Sequence, residues 1–383
     1  MKFSKIYFNL KIFLYILLMI NPKISCYFQI SLFNKLNSKY KESNLIISPL
    51  SIYQAISLAT NGAKGETQKE LLKLLDEKEM EEINLINRDI LNKIKDFKSL
   101  EIANAIMCKL VPLNDFKKIA EYNYNSEILP LKNVNQINKW CEKKTHGKIK
   151  KIIEKLNPMT FMIILNAIYF KGEWFKTFEK EFTTKQTFYN LNKNEKKVDM
   201  MEITDHYNYF EDANLQSIEL PYNKESFSAL VILPKKNLNI NEFIEILDKD
   251  KDYLYSIINN MKYNKVNLKL PKCELEYSKS LKEILKDMDV KLPFENIADF
   301  SKIRTQNDIY IDDIIHKTYL KVNEQGTEAA AVTAVIMVEN AFIPREEKIY
   351  SMNVNRPFLF ILRNSKFPKN YDIVFISKIE ELN

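Results

Sequence analysis

At 383 residues the chain is long enough to bury a large core in one domain or two. Its 46% hydrophobic, 28% charged and 12% aromatic residues are ordinary for a globular protein and exclude a disordered one. The 57 Lys and Arg outnumber the 50 Asp and Glu, for a net charge of +7. Four of those lysines fall in residues 1–26, which hold no acid, so the remainder carries +3. That balance demands no anionic partner, and no nucleic acid is expected.

Residues 1–26 read as a secretory signal peptide. Lys2, Lys5 and Lys11 supply positive charge, and Ile12 to Ile20 is an unbroken apolar run. Asn21-Pro22 breaks it, and Ser25-Cys26 offers small residues for cleavage. The alternative is a buried N-terminal helix. The run is too short to span a bilayer and no second long one occurs, so no membrane association is expected. The protein is then secreted and extracellular, with a mature domain over 27–383. The cysteines at 26, 108, 141 and 273 make no disulfide framework. There is no C-x-x-C for zinc and no N-x-[ST] sequon; neither a metal nor a cofactor is expected.

Taken in order, residues 27–40 predict a helix with Tyr27, Ile30, Phe33 and Leu36 on one stripe. Asn44 to Ile47 is a short buried strand ended at Pro49. Ser51 to Thr60 predicts a helix with Ser51 as its N-cap, and Glu66 to Leu75 another. Residues 76–98 are rich in Lys, Glu and Asn. Residues 101–106 alternate as a strand, and 115–130 hold a helix and its exit. Ile137 to Ile149 predicts a helix capped by Gly147. Its lysines at 143, 144, 148, 150 and 151 make either a solvated face or a polyanion site. Thr160 to Phe170 is a nearly continuous apolar run, which suits a central strand. Two strands follow over 217–234, a helix over 239–260, an alternating strand over 266–272 and a helix over 281–288. Strands are also expected at 319–322 and 375–378, and the run from Arg356 to Leu362 lies between them.

Only five glycines occur, at 62, 65, 147, 172 and 326. A chain so sparing of Gly should retain it where a side chain cannot be accommodated. Gly326 opens an odd segment. A polar turn, Asn323-Glu324-Gln325-Gly326, leads into Thr327-Glu328-Ala329-Ala330-Ala331-Val332-Thr333-Ala334. At period two, Thr327, Ala329, Ala331 and Thr333 share one face. Such small residues suit a strand slipping between strands already packed.

Several strings carry a family resemblance. Asn44-Leu45-Ile46-Ile47-Ser48-Pro49-Leu50-Ser51-Ile52, Gly62-Ala63-Lys64-Gly65, Ile137-Asn138-Lys139-Trp140 with Thr145-His146-Gly147-Lys148-Ile149, and above all Asn166-Ala167-Ile168-Tyr169-Phe170-Lys171-Gly172-Glu173-Trp174 resemble the serpins from about residue 27 to 380. Asp289 and Ser377 stand where that family usually has Gly. The resemblance implies an α+β fold of three β-sheets, about eight or nine helices and an exposed reactive-centre loop over about 324–348. It implies an inhibitor acting on a serine or cysteine endopeptidase as a monomer. The alternative is a non-inhibitory carrier, chaperone or storage protein. By the same resemblance Glu324, Gly326, Thr327, Glu328, Ala329, Ala330, Ala331, Val332 and Thr333 form the loop's hinge. Ser48, Ser51, Asn166 and His316 form a buried "shutter" under the main sheet, unless His316 is a satisfied core residue. Trp174 lies at the "breach" where insertion begins. The scissile bond falls at Asn340–Ala341, with Arg345–Glu346 as its rival. The fourteen residue-to-residue steps from Gly326 to Asn340 would give about 46 Å of strand.

Enzyme motifs are absent. None of His146, His206 and His316 sits in H-E-x-x-H, and there is no G-x-S-x-G. Ser48, Asp299 and His316 can be written as a triad, but a triad is defined by geometry. Cys141 and His146, five apart on a helix, do not face each other.

Overall fold

The computed structural model describes residues 27–77, 79–306, 308–327 and 347–382. The chain begins with α1 (Tyr27–Lys39), β1 (Leu45–Ile47), α2 (Pro49–Gly62), α3 (Gly65–Leu74) and α4 (Met80–Lys95). Then come β2 (Leu100–Cys108), α5 (Asn114–Tyr124), β3 (Glu127–Pro130), α6 (Val134–Lys144), β4 (Met162–Phe170), β5 (Gly172–Glu173) and β6 (Thr184–Tyr189). The middle of the chain is β7 (Glu195–Glu211), β8 (Leu215–Pro221), β9 (Phe227–Pro234), α7 (Ile240–Lys249), α8 (Tyr253–Asn259), β10 (Lys262–Pro271), β11 (Cys273–Ser280) and α9 (Lys282–Lys286). It closes with β12 (Asp313–Asn323), β13 (Gly326–Thr327), β14 (Tyr350–Asn353), β15 (Phe358–Asn364) and β16 (Ile373–Ile379).

Hydrogen bonding joins these strands into two networks, not the three sheets expected. One runs β3-β2-β4-β12-β13-β5, with β11 beside β12. The other runs β1-β16-β15-β9-β8-β7-β10-β14, with β6 beside β7. The second network unites what would otherwise be two sheets because β7 is 17 residues long: its first six residues pair β6 and its last four pair β8. Between the networks lies α2, whose fourteen residues are all buried. Its apolar side chains, among them Ile52, Ile56 and Leu58, join a core with Ile164, Phe227 and Phe360. Opposite, α6 packs Ile137, Trp140 and Cys141 on the outer face of the first network, against Ala105, Leu165 and Ile315.

Three expected boundaries shift. The N-cap of α2 is Ser48, not Ser51. Pro49 fits the first helical position because it has no N–H to satisfy, and the Ser48 hydroxyl accepts from the Ser51 N–H at 3.2 Å. Helix α6 ends at Lys144, before Gly147, because His146 (φ 50°) and Gly147 (φ 78°) both turn left-handed. The helix expected over 239–260 is two helices, broken where Asp250 leaves helical geometry. Strands β6, β7 and β11 fall outside the expected elements.

The two departures from family glycine have distinct consequences. Asp289 takes φ 65°, the left-handed conformation that Gly adopts freely and Asp tolerates better than most residues. Ser377 is fully buried on β16, and its hydroxyl has no hydrogen-bond partner.

Candidate functional site: the loop hinge and the seam beneath it

The seam lies between β4 and β12. These strands run parallel and pair directly from Asp313↔Ile163 to Thr318↔Ile168. Beyond Lys171 the pairing changes. Gly326 and Thr327 form β13, which turns back from β12 and pairs antiparallel with it (Val322↔Thr327, Asn323↔Gly326). The same two residues pair antiparallel with β5 (Gly326↔Glu173, Thr327↔Gly172). One strand's width of chain therefore already separates the upper ends of the two seam strands.

Gly326 is required there. Its φ is +149°, and a Cβ on it would lie 2.0 Å from the Gly172 carbonyl oxygen, a backbone atom with no rotamer to yield. Gly172 is crowded in turn: its Cβ would meet the rings of Tyr222 and Phe170 at 2.7 and 2.8 Å.

The turn leading into β13 is held from several sides. Asn323 Oδ1 accepts from the Gln325 and Gly326 N–H groups at 3.0 and 3.2 Å. The Trp174 indole N–H donates to the Asn323 carbonyl at 3.0 Å, and its backbone N–H to the Gln325 carbonyl at 2.9 Å. Trp174 stacks on Tyr222 with ring centroids 4.4 Å apart, and the Tyr222 hydroxyl meets the Thr327 hydroxyl at 2.6 Å. Thr327 is buried. Glu324 is buried too; its carboxylate reaches Lys272 at 3.0 Å and the Thr183 hydroxyl at 3.0 Å. Burial works to raise the Glu324 carboxyl, but hydrogen bonds from backbone, Lys272 and Thr183 outweigh it and hold it below the usual value. A polar cleft of about 510 Å³, lined by Lys180, Lys272, Lys321 and Glu324, opens beside this turn.

Lower on the seam a polar row crosses three strands. Asn104 on β2 faces Asn166 on β4, which faces His316 on β12. Asn166 Nδ2 donates to Asn104 Oδ1 at 2.7 Å and to the Ser51 carbonyl at 3.0 Å, and also lies against the Ser51 hydroxyl. His316 Nδ1 meets Asn166 Oδ1 at 2.7 Å, while Nε2 accepts from the Ser48 N–H at 3.0 Å. The two bonds together fix the neutral tautomer with its proton on Nδ1. Burial lowers the His316 pKa to about 3. Thr318 adds a bond to the Ile46 carbonyl at 3.0 Å. Both seam strands are thus tied to the segment that enters and starts α2.

Ser48, Ser51, Asn166 and His316 lie together here, and Trp174 lies against the turn at Asn323 and Gln325. Glu328, Ala329, Ala330, Ala331, Val332 and Thr333 lie outside the described residues, as do both candidate scissile pairs, Asn340–Ala341 and Arg345–Glu346. Sequence reasoning misses Asn104, Tyr222, Asn323 and Lys272. Their signal is register, since each acts through the strand or turn set opposite it.

The triad does not assemble. His316 bonds the Ser48 backbone rather than its hydroxyl, and the Asp299 carboxylate accepts from the Ser301 N–H at 3.0 Å. Cys141 is buried, and burial pushes its thiol up to about 12, while exposed His146 pairs with Glu101 at 2.9 Å. Cys108, Cys141 and Cys273 are free thiols. Among the described residues no helix is long and apolar enough to cross a membrane, and no group of His, Cys, Asp and Glu could hold a metal. Of the lysine cluster, Lys144 pairs with Glu127, Lys151 pairs with Glu154, and Lys148 lies over the Tyr319 ring at 5.7 Å.

This geometry defines a class of protein: a large mixed sheet whose own loop begins as a strand wedged into the head of a seam. Similarity to known proteins agrees. A sequence profile described as Serpin (serine protease inhibitor) matches residues 24–381. The chain belongs to the serpin family. It is 33% identical to Iripin-2 of Ixodes ricinus over 363 residues, covering 89% of this chain and 88% of that one. Among solved structures it resembles the native state of Tengpin, a thermophilic serpin, with TM-score 0.84, 32% identity and coverage of 94% and 93%. It also resembles thyroxine-binding globulin in complex with thyroxine, with TM-score 0.83, 26% identity and coverage of 94% and 98%. The family is one of protease inhibitors, whose members generally bind target proteases.

Proposed function

We propose that this protein is a secreted inhibitor that acts as a suicide substrate of an endopeptidase. The protease forms an acyl-enzyme at the loop and cuts it. The freed arm then enters the seam between β4 and β12 as a new strand and traps the protease covalently. The observation that carries this reading is β13, already seated between β12 and β5 with Gly326 and Thr327 in sheet register. Such a change adds a strand to a sheet that has two discrete packings, a switch for which serpin loops are the standard example. In this reading the row Asn104–Asn166–His316 latches the closed sheet, and Trp174 positions the turn from which the arm enters.

Asn340 is the favoured bait, for an asparaginyl cysteine protease or one tolerant of small polar residues. Arg345 would suit a trypsin-like serine protease. Secretion is supported by the charge and apolar pattern of residues 1–26.

The test is incubation with trypsin-like, elastase-like and asparaginyl endopeptidases. An SDS-resistant complex is expected, with a released C-terminal peptide beginning at Ala341, or at Glu346 for the rival register. Cleavage of the loop with no complex from any of the three classes would refute the inhibitory reading. The likeness to thyroxine-binding globulin favours one second reading, a carrier with no use for insertion. Thr333→Arg, on the same period-two face of the sequence as Thr327, separates the two. It should turn an inhibitor into a cleaved substrate, because insertion would carry a charged side chain into the sheet, and should leave a carrier unchanged.

A further inference from the structure

A second site lies at the other foot of the loop. A pocket of about 260 Å³ is lined by Phe175, Lys176, His206, Tyr207, Glu219 and Tyr263, with Asn208 and Pro221. Its mouth is aromatic and open: Phe175 is 59% exposed and Tyr263 68% exposed. Isolated exposed apolar residues need no explanation, but two rings flanking one concavity mark a contact site. His206 stacks on Tyr263 with centroids 5.6 Å apart. Deeper, Tyr207 is only 4% exposed, and its buried hydroxyl has no hydrogen-bond partner. A buried hydroxyl without a partner is uncommon in folded proteins and could be satisfied by a bound group.

The walls are electrically neutral. Lys176 is paired with Asp205 at 2.5 Å. Glu219 is paired with Arg363 at 3.4 Å and accepts from Ser228 at 2.7 Å and Asn208 at 3.1 Å. Each charged side chain lining the pocket is thus matched already, which does not favour an ionic ligand. The volume falls below the ~300–1,000 Å³ typical of sites for drug-sized ligands. It suits one ring with one hydrogen-bonding group.

The position selects the source of that ring. His206 Nε2 meets Glu347 at 2.7 Å, and Lys265 reaches the same carboxylate at 3.8 Å. Glu347 is the first described residue after the loop. Asn340 lies seven residues before Glu347, at most about 25 Å of extended chain, so the body of a protease holding the Asn340–Ala341 bond can reach this surface.

We propose that this pocket receives an uncharged aromatic side chain, Tyr or Trp, from the body of the protease that attacks the loop. The inference rests on the inhibitory reading above. A single aromatic anchor seated in a pocket is the usual form of a dominant interface contact. The pocket then sets which proteases are captured fast, separately from the residue at the scissile bond.

The test compares second-order association rates of wild type, Phe175→Ala, Tyr263→Ala and Tyr207→Phe with whichever panel protease forms a covalent complex with wild type. Phe175→Ala and Tyr263→Ala alter exposed residues and should fold normally; Tyr207→Phe removes only the hydroxyl. Each alanine variant should slow association by about tenfold and Tyr207→Phe by about threefold, with the number of protease molecules trapped per inhibitor unchanged. Unchanged rates in all three variants, with complexes still forming, overturn the pocket proposal alone. Failure of wild type to form any complex overturns both readings.

Discussion

One of the two partners of His316 requires a neutral imidazole. The Ser48 N–H points at Nε2, so a proton there would lose that bond and place two hydrogens face to face. The folded-state pKa of about 3 lies below the ordinary 6.5. The unfolded chain therefore binds the proton first as pH falls. Stability from this group is full above about pH 6.5 and is lost on acidification, at a slope approaching 1.4 kcal/mol per pH unit between 6.5 and 3. Asp372 works in the opposite direction. Burial raises it to about 6 despite its pairing with Arg363, so it adds stability as pH falls through that value. The measurement must accordingly be a difference. Urea midpoints of wild type and His316→Gln between pH 7 and 4 should converge as pH falls, and a constant gap would contradict the buried neutral tautomer.

At the scale of the element, β13 depends on a glycine more than on any side chain. Gly326→Ala combines a positive φ with a Cβ pressed against a carbonyl, and should cost about 3 kcal/mol or expel β13 from between its neighbours. Gly147 also has a positive φ, but its Cβ would have nothing within 4 Å, so Gly147→Ala should cost about 1 kcal/mol. Denaturant titration of the pair checks the order, and equal losses would show that crowding at Gly172 does not matter. These elements also show what a sequence makes legible. β4 is plain because it is buried along its length and reads as unbroken apolar chain. β7 is not, because its outward residues are charged and its length exceeds any one alternating window. β11 alternates Glu274, Glu276 and Ser278 with buried Leu275 and Tyr277, a pattern that also fits a charged loop. Residues 240–259 share one helical period across a break made by Asp250 and Asp252, which periodicity cannot see. Asn166 and His316 are readable through their motif. Asn104 is not, since an Asn in an alternating strand gains meaning only when the register sets it opposite Asn166. Trp174 and Thr327 can be placed from the sequence, whereas Tyr222, which joins them, belongs to a distant turn.

For the whole molecule, insertion would exchange one ladder for two. Cleavage anywhere in residues 334–346 should therefore raise the melting temperature. A net gain of only ~4 kcal/mol would move it by about 5 °C, readable by calorimetry on the nicked and intact proteins. An unchanged melting temperature after nicking would mean that the arm stays outside. The direction of the strands gives this expectation its physical basis. β4 and β12 are parallel neighbours, and parallel pairing is slightly the weaker arrangement per residue. β13 runs against both β12 and β5. A chain continuing from Thr327 down the seam would run opposite to each flanking strand, so a same-sense junction would become two alternating ones. The intact protein thus holds a lapse in strand alternation at the middle of its sheet, beside a strand, β13, that already alternates with both of its neighbours.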